Sequence, residues 1–67
     1  MTAKALARYA ETKGWRLDRT GKGSHRIYSH SLWRYKIVIP DHGAHDIARG
    51  TLAVILKQID GRWSPKS

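Results

Sequence analysis

A histidine flanked by a serine and an arginine is the residue of this sequence best suited to acid–base chemistry. His25 lies in the segment 22–26, which reads KGSHR. Imidazole exchanges a proton near neutral pH, and the lysine and arginine of this segment bind phosphate. The glycine at position 23 lets a phosphate backbone come close to the chain. The segment therefore predicts acid–base catalysis on a phosphodiester, with His25 as the catalytic group.

RNA is the substrate class that suits this small set of groups. It supplies its own nucleophile, the 2′-OH, so an RNase needs only an acid–base group, a charge stabiliser and a grip on the backbone. A small basic protein can provide all three without a metal. We therefore expect Lys22 and Arg26 to stabilise the phosphate charge, and Gly23 and Ser24 to offer it hydrogen-bond donors.

Two of the other three histidines stand close enough in the sequence to raise the question of a metal site, but their surroundings do not favour one. His42 and His45 stand beside Asp41 and Asp46. These groups lie in a loop rather than on a helix, no thiolate accompanies them, and the surrounding positive charge repels cations. We expect no metal and no other cofactor.

The basic residues are concentrated in the first half of the chain. The 67 residues include 13 Lys and Arg against 5 Asp and Glu, a formal net charge of +8, and residues 1–36 account for +7 of it. Clustered basic residues are typical of proteins that bind nucleic acid, because each phosphate contact releases counterions. A solvated surface that maintains solubility is the alternative. The clustering favours a nucleic-acid partner over solubility alone.

Length and composition exclude several classes of site. A domain of this size buries only about 60% of the surface that its unfolded chain exposes, so we expect no deep enclosed pocket. The sequence has no cysteine, which excludes disulfides and thiolate zinc sites. The longest apolar runs, 37–39 and 52–56, are too short to span a membrane, and charges interrupt the N-terminus. We expect one cytoplasmic domain over residues 1–67, with a loose tail at 62–67.

Apolar residues recur at helical spacing near both ends of the chain. The two stripes consist of Ala3, Leu6, Ala7 and Ala10, and of Leu52, Ile55, Leu56 and Ile59. The first stripe predicts a helix over about 2–13, with Thr2 as N-cap and Gly14 as its end. The second predicts a helix over about 48–60, which Gly61 ends.

Between the two helices the apolar period changes to two residues, which indicates β-strands. We predict strands over 15–19, 24–30 and 34–39, with a turn at 20–23 and a short connection at 31–33. Tight turns imply an antiparallel meander, and the two amphipathic helices then cover one face of the three-stranded sheet. The fold class is therefore α+β, in the α-β-β-β-α order of a double-stranded-RNA-binding domain.

Strand alternation leaves the orientation of the catalytic candidate open. His25 shares a face with Ile27, whereas Arg26, Tyr28 and His30 share the other. If Ile27 points to the core, His25 follows it unless a bulge or the strand end redirects the side chain.

Three blocks of this sequence resemble those of the HicA-like, or YcfA-like, toxins of prokaryotic toxin–antitoxin systems. The first block, 22–28, reads KGSHRIY and is similar to the family's G-S-H-x-x-[aromatic or apolar] motif. The second, 39–43, reads IPDHG and is similar to its P-x-H segment. The third, 50–58, reads GTLAVILKQ and is similar to its G-T-L-x-x-I-L-K-Q helix. The resemblance covers nearly the whole chain.

The resemblance implies a double-stranded-RNA-binding-like fold and a toxin that cleaves mRNA and arrests translation. It also implies neutralisation by an antitoxin of the HicB type. The family's essential histidine maps onto His25, and Tyr28 joins the RNA-contacting candidates as part of the same motif. His42 matches a recurrent position and is a candidate auxiliary residue, whereas His30 and His45 match none.

A second class of function fits the same charge, size and element order. A non-catalytic RNA-binding module needs no titratable histidine among cations, since Lys or Arg holds phosphate better. The basic surface also suits docking of an acidic antitoxin, a role compatible with catalysis. Trp33 suits stacking on a base, contact with the antitoxin, or ordinary packing. The sequence does not indicate an oligomeric state.

Overall fold

The computed structural model describes residues 1–21, 23–41, 43 and 45–62, and within them the chain forms two helices and three strands. The elements are α1 (Ala3–Thr12), β1 (Arg16–Thr20), β2 (His25–His30), β3 (Trp33–Pro40) and α2 (Arg49–Ile59). The predicted order is confirmed, and each predicted boundary lies within one residue of the observed one. The sheet is antiparallel with strand order β1-β2-β3. No helix of the described residues is long and apolar enough to cross a membrane.

The predicted start and end of α1 are confirmed. The Thr2 hydroxyl accepts a hydrogen bond from the Ala5 N–H at 3.2 Å, which satisfies one of the free donors of the first turn. Gly14 follows the helix with φ +94°, in the left-handed region. A Cβ at this position would lie 2.7 Å from Nε2 of His30, so both conformation and close packing require glycine here.

The helices cover one face of the sheet, and that face contains Tyr28, Ile37 and Ile39. Tyr28 pairs with Ile37 across β2 and β3, and all three side chains belong to the buried core. Ile27 instead pairs with Val38, and these two point to the opposite face, which we call the open face. Ile27 is half-buried, and Val38 is exposed. The possibility that Ile27 points to the core is therefore wrong, because Tyr28 occupies that side.

Both strand pairs contain a register shift. Between β1 and β2, Leu17 pairs with Tyr28 but Arg19 pairs with Ile27, so β1 has one extra residue at Asp18. Such a bulge reverses the alternation of the strand beyond it. Residues after the bulge therefore lie on the opposite face from the one that simple alternation from the buried Trp15 predicts.

Three aromatic side chains bind the C-terminal end of α2. The Trp15 indole Nε1–H donates to the Ile59 carbonyl at 3.1 Å, and the Tyr35 hydroxyl donates to the Gln58 carbonyl at 2.7 Å. The last carbonyls of a helix have no partner within the helix, so the indole satisfies an Ile59 carbonyl that burial would otherwise leave unpaired. The Gln58 carbonyl accepts a second hydrogen bond, from the Gly61 N–H at 3.2 Å. The Tyr9 hydroxyl donates to a carboxylate oxygen of Asp60 at 2.6 Å, which links α1 to the same end.

Replacing Trp15 by Phe tests this end of the structure. The substitution removes the indole donor from a side chain that is only 1% exposed, leaving the Ile59 carbonyl unpaired and a cavity beside it. We expect the free energy of unfolding to fall by about 2 kcal/mol or more. Urea unfolding measures this free energy. The control is Trp33→Phe, because Trp33 is 38% exposed. Equal losses in the two variants would contradict the structural role given to Trp15.

The turn before β2 provides a second test of stability. Gly23 has φ +66°, so Gly23→Ala forces an L side chain into the left-handed region and should lower the free energy of unfolding by about 1–2 kcal/mol. Gly50 lies in α2 without a positive φ and with no atom within 4 Å of an added Cβ. The matched change Gly50→Ala should raise stability by up to about 1 kcal/mol. Thermal unfolding of both variants checks the opposite signs.

Candidate functional site

His25 is the first residue of β2 and its side chain is exposed on the open face of the sheet. Its backbone pairs with Pro40 of β3, and its carbonyl accepts a hydrogen bond from the Gly21 N–H at 2.7 Å. The strand is therefore held on both sides at this residue. Ordinary alternation, with Tyr28 inside, directs His25 outward without a bulge in β2. The backbone at His25 is therefore fixed, and the exposed imidazole is accessible to a macromolecule.

Gly21, which follows β1, lies close to the side chains at the start of β2. A Cβ at Gly21 would lie 3.7 Å from the His25 Cβ and 3.2 Å from the Ile27 Cδ1, so a larger residue here would crowd the open face beside His25. Ser24 is exposed, and its carbonyl accepts from the Asp41 N–H at 3.0 Å. That bond ties the turn to the segment after β3. Lys22 lies outside the described residues.

Arg26 lies on the opposite face of β2 from His25, as strand alternation predicts, and this position does not favour the phosphate-binding role predicted for it. It pairs with Ile39 on the helix side of the sheet, because neighbouring residues of a strand alternate. Its guanidinium lies 3.1 Å from the Asp41 carboxylate. Arg26 thus fixes the loop after β3 and has its charge partly compensated.

Tyr28, the aromatic residue of the same motif, is 3% exposed and belongs to the core. Burial raises the pKa of its hydroxyl above the ordinary value of tyrosine, and the nearby Glu11 charge adds to the rise. With the ring packed between the sheet and α1, Tyr28 has no free face on which a base could stack. Its position in the motif is explained by packing.

His30 has a structural role that its residue type alone does not reveal. Its Nδ1 accepts from the Leu32 N–H at 3.0 Å, so its Nε2 carries the proton and donates to the Lys13 carbonyl at 2.9 Å. Its ring also meets Trp15 edge to face, with centroids 5.1 Å apart. Both ring nitrogens are occupied in holding the end of α1 against the loop before β3.

Trp33 begins β3 rather than lying in the connection before it. Its ring lies against His30 and Tyr35, with centroids 6.3 and 6.0 Å away. A Cβ at Gly61 would come within 2.5 Å of the Trp33 ring, so the indole also covers the chain after α2. Packing therefore accounts for one side of the ring, and the remainder is exposed.

The described part of the chain contains no group of three or more His, Asp or Glu side chains placed to hold a metal ion. His45 is exposed in the loop before α2. His42, the candidate auxiliary residue, lies outside the described residues.

The open face has a cation near His25 that the sequence patterns did not indicate. Arg19 pairs with Ile27, two residues along β2 from His25, and so points to the same side. Simple alternation from Trp15 would have placed Arg19 on the helix side. Only the extra residue at Asp18 turns it outward, and the alternation of residue types along β1 does not signal a bulge there.

An ion pair crosses the same face. The Lys36 ammonium of β3 donates to the Asp18 carboxylate of β1 at 2.7 Å, above the central strand β2. This hydrogen bond and the positive charge of Lys36 lower the pKa of Asp18 below its ordinary value. The contact shows that both side chains lie on the open face, because only there can they meet across β2.

Comparison with known protein families agrees with the resemblance seen in the sequence blocks. The family model described as the HicA toxin of bacterial toxin–antitoxin matches residues 3–60, from the start of α1 to the C-cap of α2. No match was found among curated proteins or among solved structures. The match covers most of the chain and includes the strand that begins with His25. The chain therefore belongs to the HicA toxin family and is the toxin component of a bacterial toxin–antitoxin system.

Proposed function

We propose that this toxin is a metal-independent endoribonuclease that cleaves mRNA and thereby arrests translation, with His25 as its acid–base group. The observation that supports it best is the position of His25, held by backbone bonds on both sides and exposed on the face that no helix covers. Family membership implies an RNA target and a cognate antitoxin. A long RNA chain can reach an imidazole on an open surface, whereas a small substrate would need a pocket.

The reaction requires one proton acceptor and one proton donor. His25 accepts the proton of the 2′-OH while the 2′-oxygen forms a bond to phosphorus and the bond from phosphorus to the 5′-oxygen breaks. The leaving 5′-oxygen then takes a proton, from the protonated imidazole or from water. The products are a 2′,3′-cyclic phosphate and a 5′-hydroxyl. No oxidant, reductant or cofactor enters this balance.

Charge develops on the phosphate during this step and needs stabilising donors. The exposed Ser24 hydroxyl and the turn at Gly23 stand next to His25 in the chain, and Lys22 completes the proposed set. Because Arg26 points to the helix side and pairs with Asp41, its part in the proposal is to anchor the loop rather than to touch the phosphate.

The proposed partner in the cell is an antitoxin of the HicB type, and the proposed location is the cytoplasm, where mRNA is found. A basic face with an uncovered active residue is a natural target for an acidic inhibitor, since complementary charge speeds association and selects the partner. Covering His25 would be sufficient to silence the reaction.

Substituting His25 tests the catalytic assignment. We expect His25→Ala to reduce RNA cleavage by about 10²–10⁴-fold, the range that general acid–base groups contribute. The matched control is His45→Ala, which changes an exposed histidine in the loop before α2 and should keep its activity. Gel analysis of labelled RNA with EDTA present measures both. Activity of His25→Ala equal to that of the control would overturn the assignment, as would loss of wild-type activity in EDTA.

The alternative, a non-catalytic RNA-binding module, is distinguished by a second substitution. His25→Arg replaces the titratable group by a permanent cation that holds phosphate at least as well. Catalysis by His25 predicts a variant that binds RNA but neither cleaves it nor arrests growth. A module that acts by binding alone predicts growth arrest as strong as that of the wild type.

A further inference from the structure

The open face of the sheet holds four cations and one acid among the described residues. Arg16 faces outward because it pairs with Ser29, the neighbour of the buried Tyr28. Arg34 faces outward because it precedes Tyr35, which faces the helices. Within residues 1–21, 23–41, 43 and 45–62, the charged set on this face is Arg16, Asp18, Arg19, Arg34 and Lys36. Its net charge is +3.

Three of these cations are available for a ligand. Lys36 is paired with Asp18, but among the described ion pairs none includes Arg16, Arg19 or Arg34. All three arginines are exposed. Each guanidinium offers a planar set of donors that matches a phosphate. The face is therefore built to receive an anion with several charges rather than a single one.

The spacing of the arginines suits an extended polyanion. Adjacent strands lie about 4.8 Å apart and residues rise by about 3.3 Å. Because of the extra residue at Asp18, Arg16 and Arg19 pair with Ser29 and Ile27, two residues apart on β2, and are separated by about 7 Å along the sheet. Arg34, on the far strand, lies about 10 Å across the sheet from β1. Arg19 is the diagonal neighbour of His25, about 7–8 Å away between Cα atoms and within reach of a long side chain.

A competing basic surface lies on the other side of the molecule. The groove between α1 and the sheet is lined by Lys4, Arg8 and Arg26, but also by Glu11 and Asp41. Its net charge is +1, and Arg26 is already paired with Asp41. His25 does not line this groove. Both charge and access to the imidazole favour the open face.

We propose that the backbone of the RNA substrate crosses the open face of the sheet, contacting Arg16, Arg19 and Arg34, with Arg19 binding the phosphate nearest to His25. The half-buried Ile27 and the exposed Val38 lie between the arginines and offer an apolar surface to the bases. This inference rests on the proposed function, because it takes the substrate to be RNA.

Binding of uncleaved RNA tests the proposal. In a His25→Ala background, the affinity for a fluorescent single-stranded RNA of about 16 nucleotides is measured against salt concentration. The triple variant Arg16→Gln/Arg19→Gln/Arg34→Gln should bind at least tenfold more weakly than its parent. The slope of log affinity against log salt should become shallower by about 2, since each lost phosphate contact on a single strand accounts for about 0.7.

The matched control removes the same charge from the helix side. Lys4→Gln/Arg8→Gln/Lys57→Gln alters three exposed residues of α1 and α2. We expect less than a threefold loss of affinity and an unchanged slope. An equal or larger loss in the control would place RNA on the helices and overturn the proposal. The proposal would also be overturned if the triple variant of the sheet bound RNA with the affinity of its parent, even if it had lost its binding to the antitoxin.

Single variants keep the proposal testable if the triple variant does not fold, which circular dichroism would show. Arg19→Gln should weaken RNA binding, and Arg19→Lys should restore part of it because the charge returns. Failure of the catalytic assignment would give a different result. His25→Ala would then still cleave RNA, while the sheet-face variant would still bind RNA more weakly than the helix-side control.

Discussion

The hydrogen bond from the Trp15 indole to the Ile59 carbonyl is the contact on which the arrangement of the sheet and both helices depends. Trp15 follows α1 and precedes β1, and its partner is the last residue of α2. One buried side chain thus joins the beginning of the sheet to the end of α2. His30 and Tyr35 pack against its ring. In a chain of 67 residues without cysteine, such a shared contact replaces the covalent links that many small domains use.

Holding both helices on one side determines what the other side can do. Tyr28 fills the space beneath the helices, so alternation alone exposes its neighbours in β2 on the open face. The packing that buries Tyr28 therefore also presents His25. Stability and the proposed chemistry use opposite faces of the same strand, which lets the open face vary in charge without disturbing the core.

The element order was predictable from the sequence because its periods are distinct, 3.6 residues in the helices and two in the strands. His25 was identifiable as a candidate from residue types alone. Which face of β2 is buried was not predictable, because Ile27 and Tyr28 are adjacent and either side chain can fill a core. The outward position of Arg19 depends on the bulge at Asp18, and the pairing of Arg26 with Asp41 joins separate strands. These features arise from tertiary packing, which local patterns do not encode.

The proposed active residue lies on an open sheet, which differs from a pocket in how it would select a substrate. His25 is exposed, so the surface around it does not exclude water and cannot enclose a nucleotide. In the proposed function, binding of RNA then depends on several backbone contacts, which together supply affinity without reading the base sequence. The same openness leaves the residue uncovered whenever RNA is absent. An antitoxin that binds this face therefore needs no conformational change in the toxin to silence it; it needs only to occupy the surface that the helices leave bare.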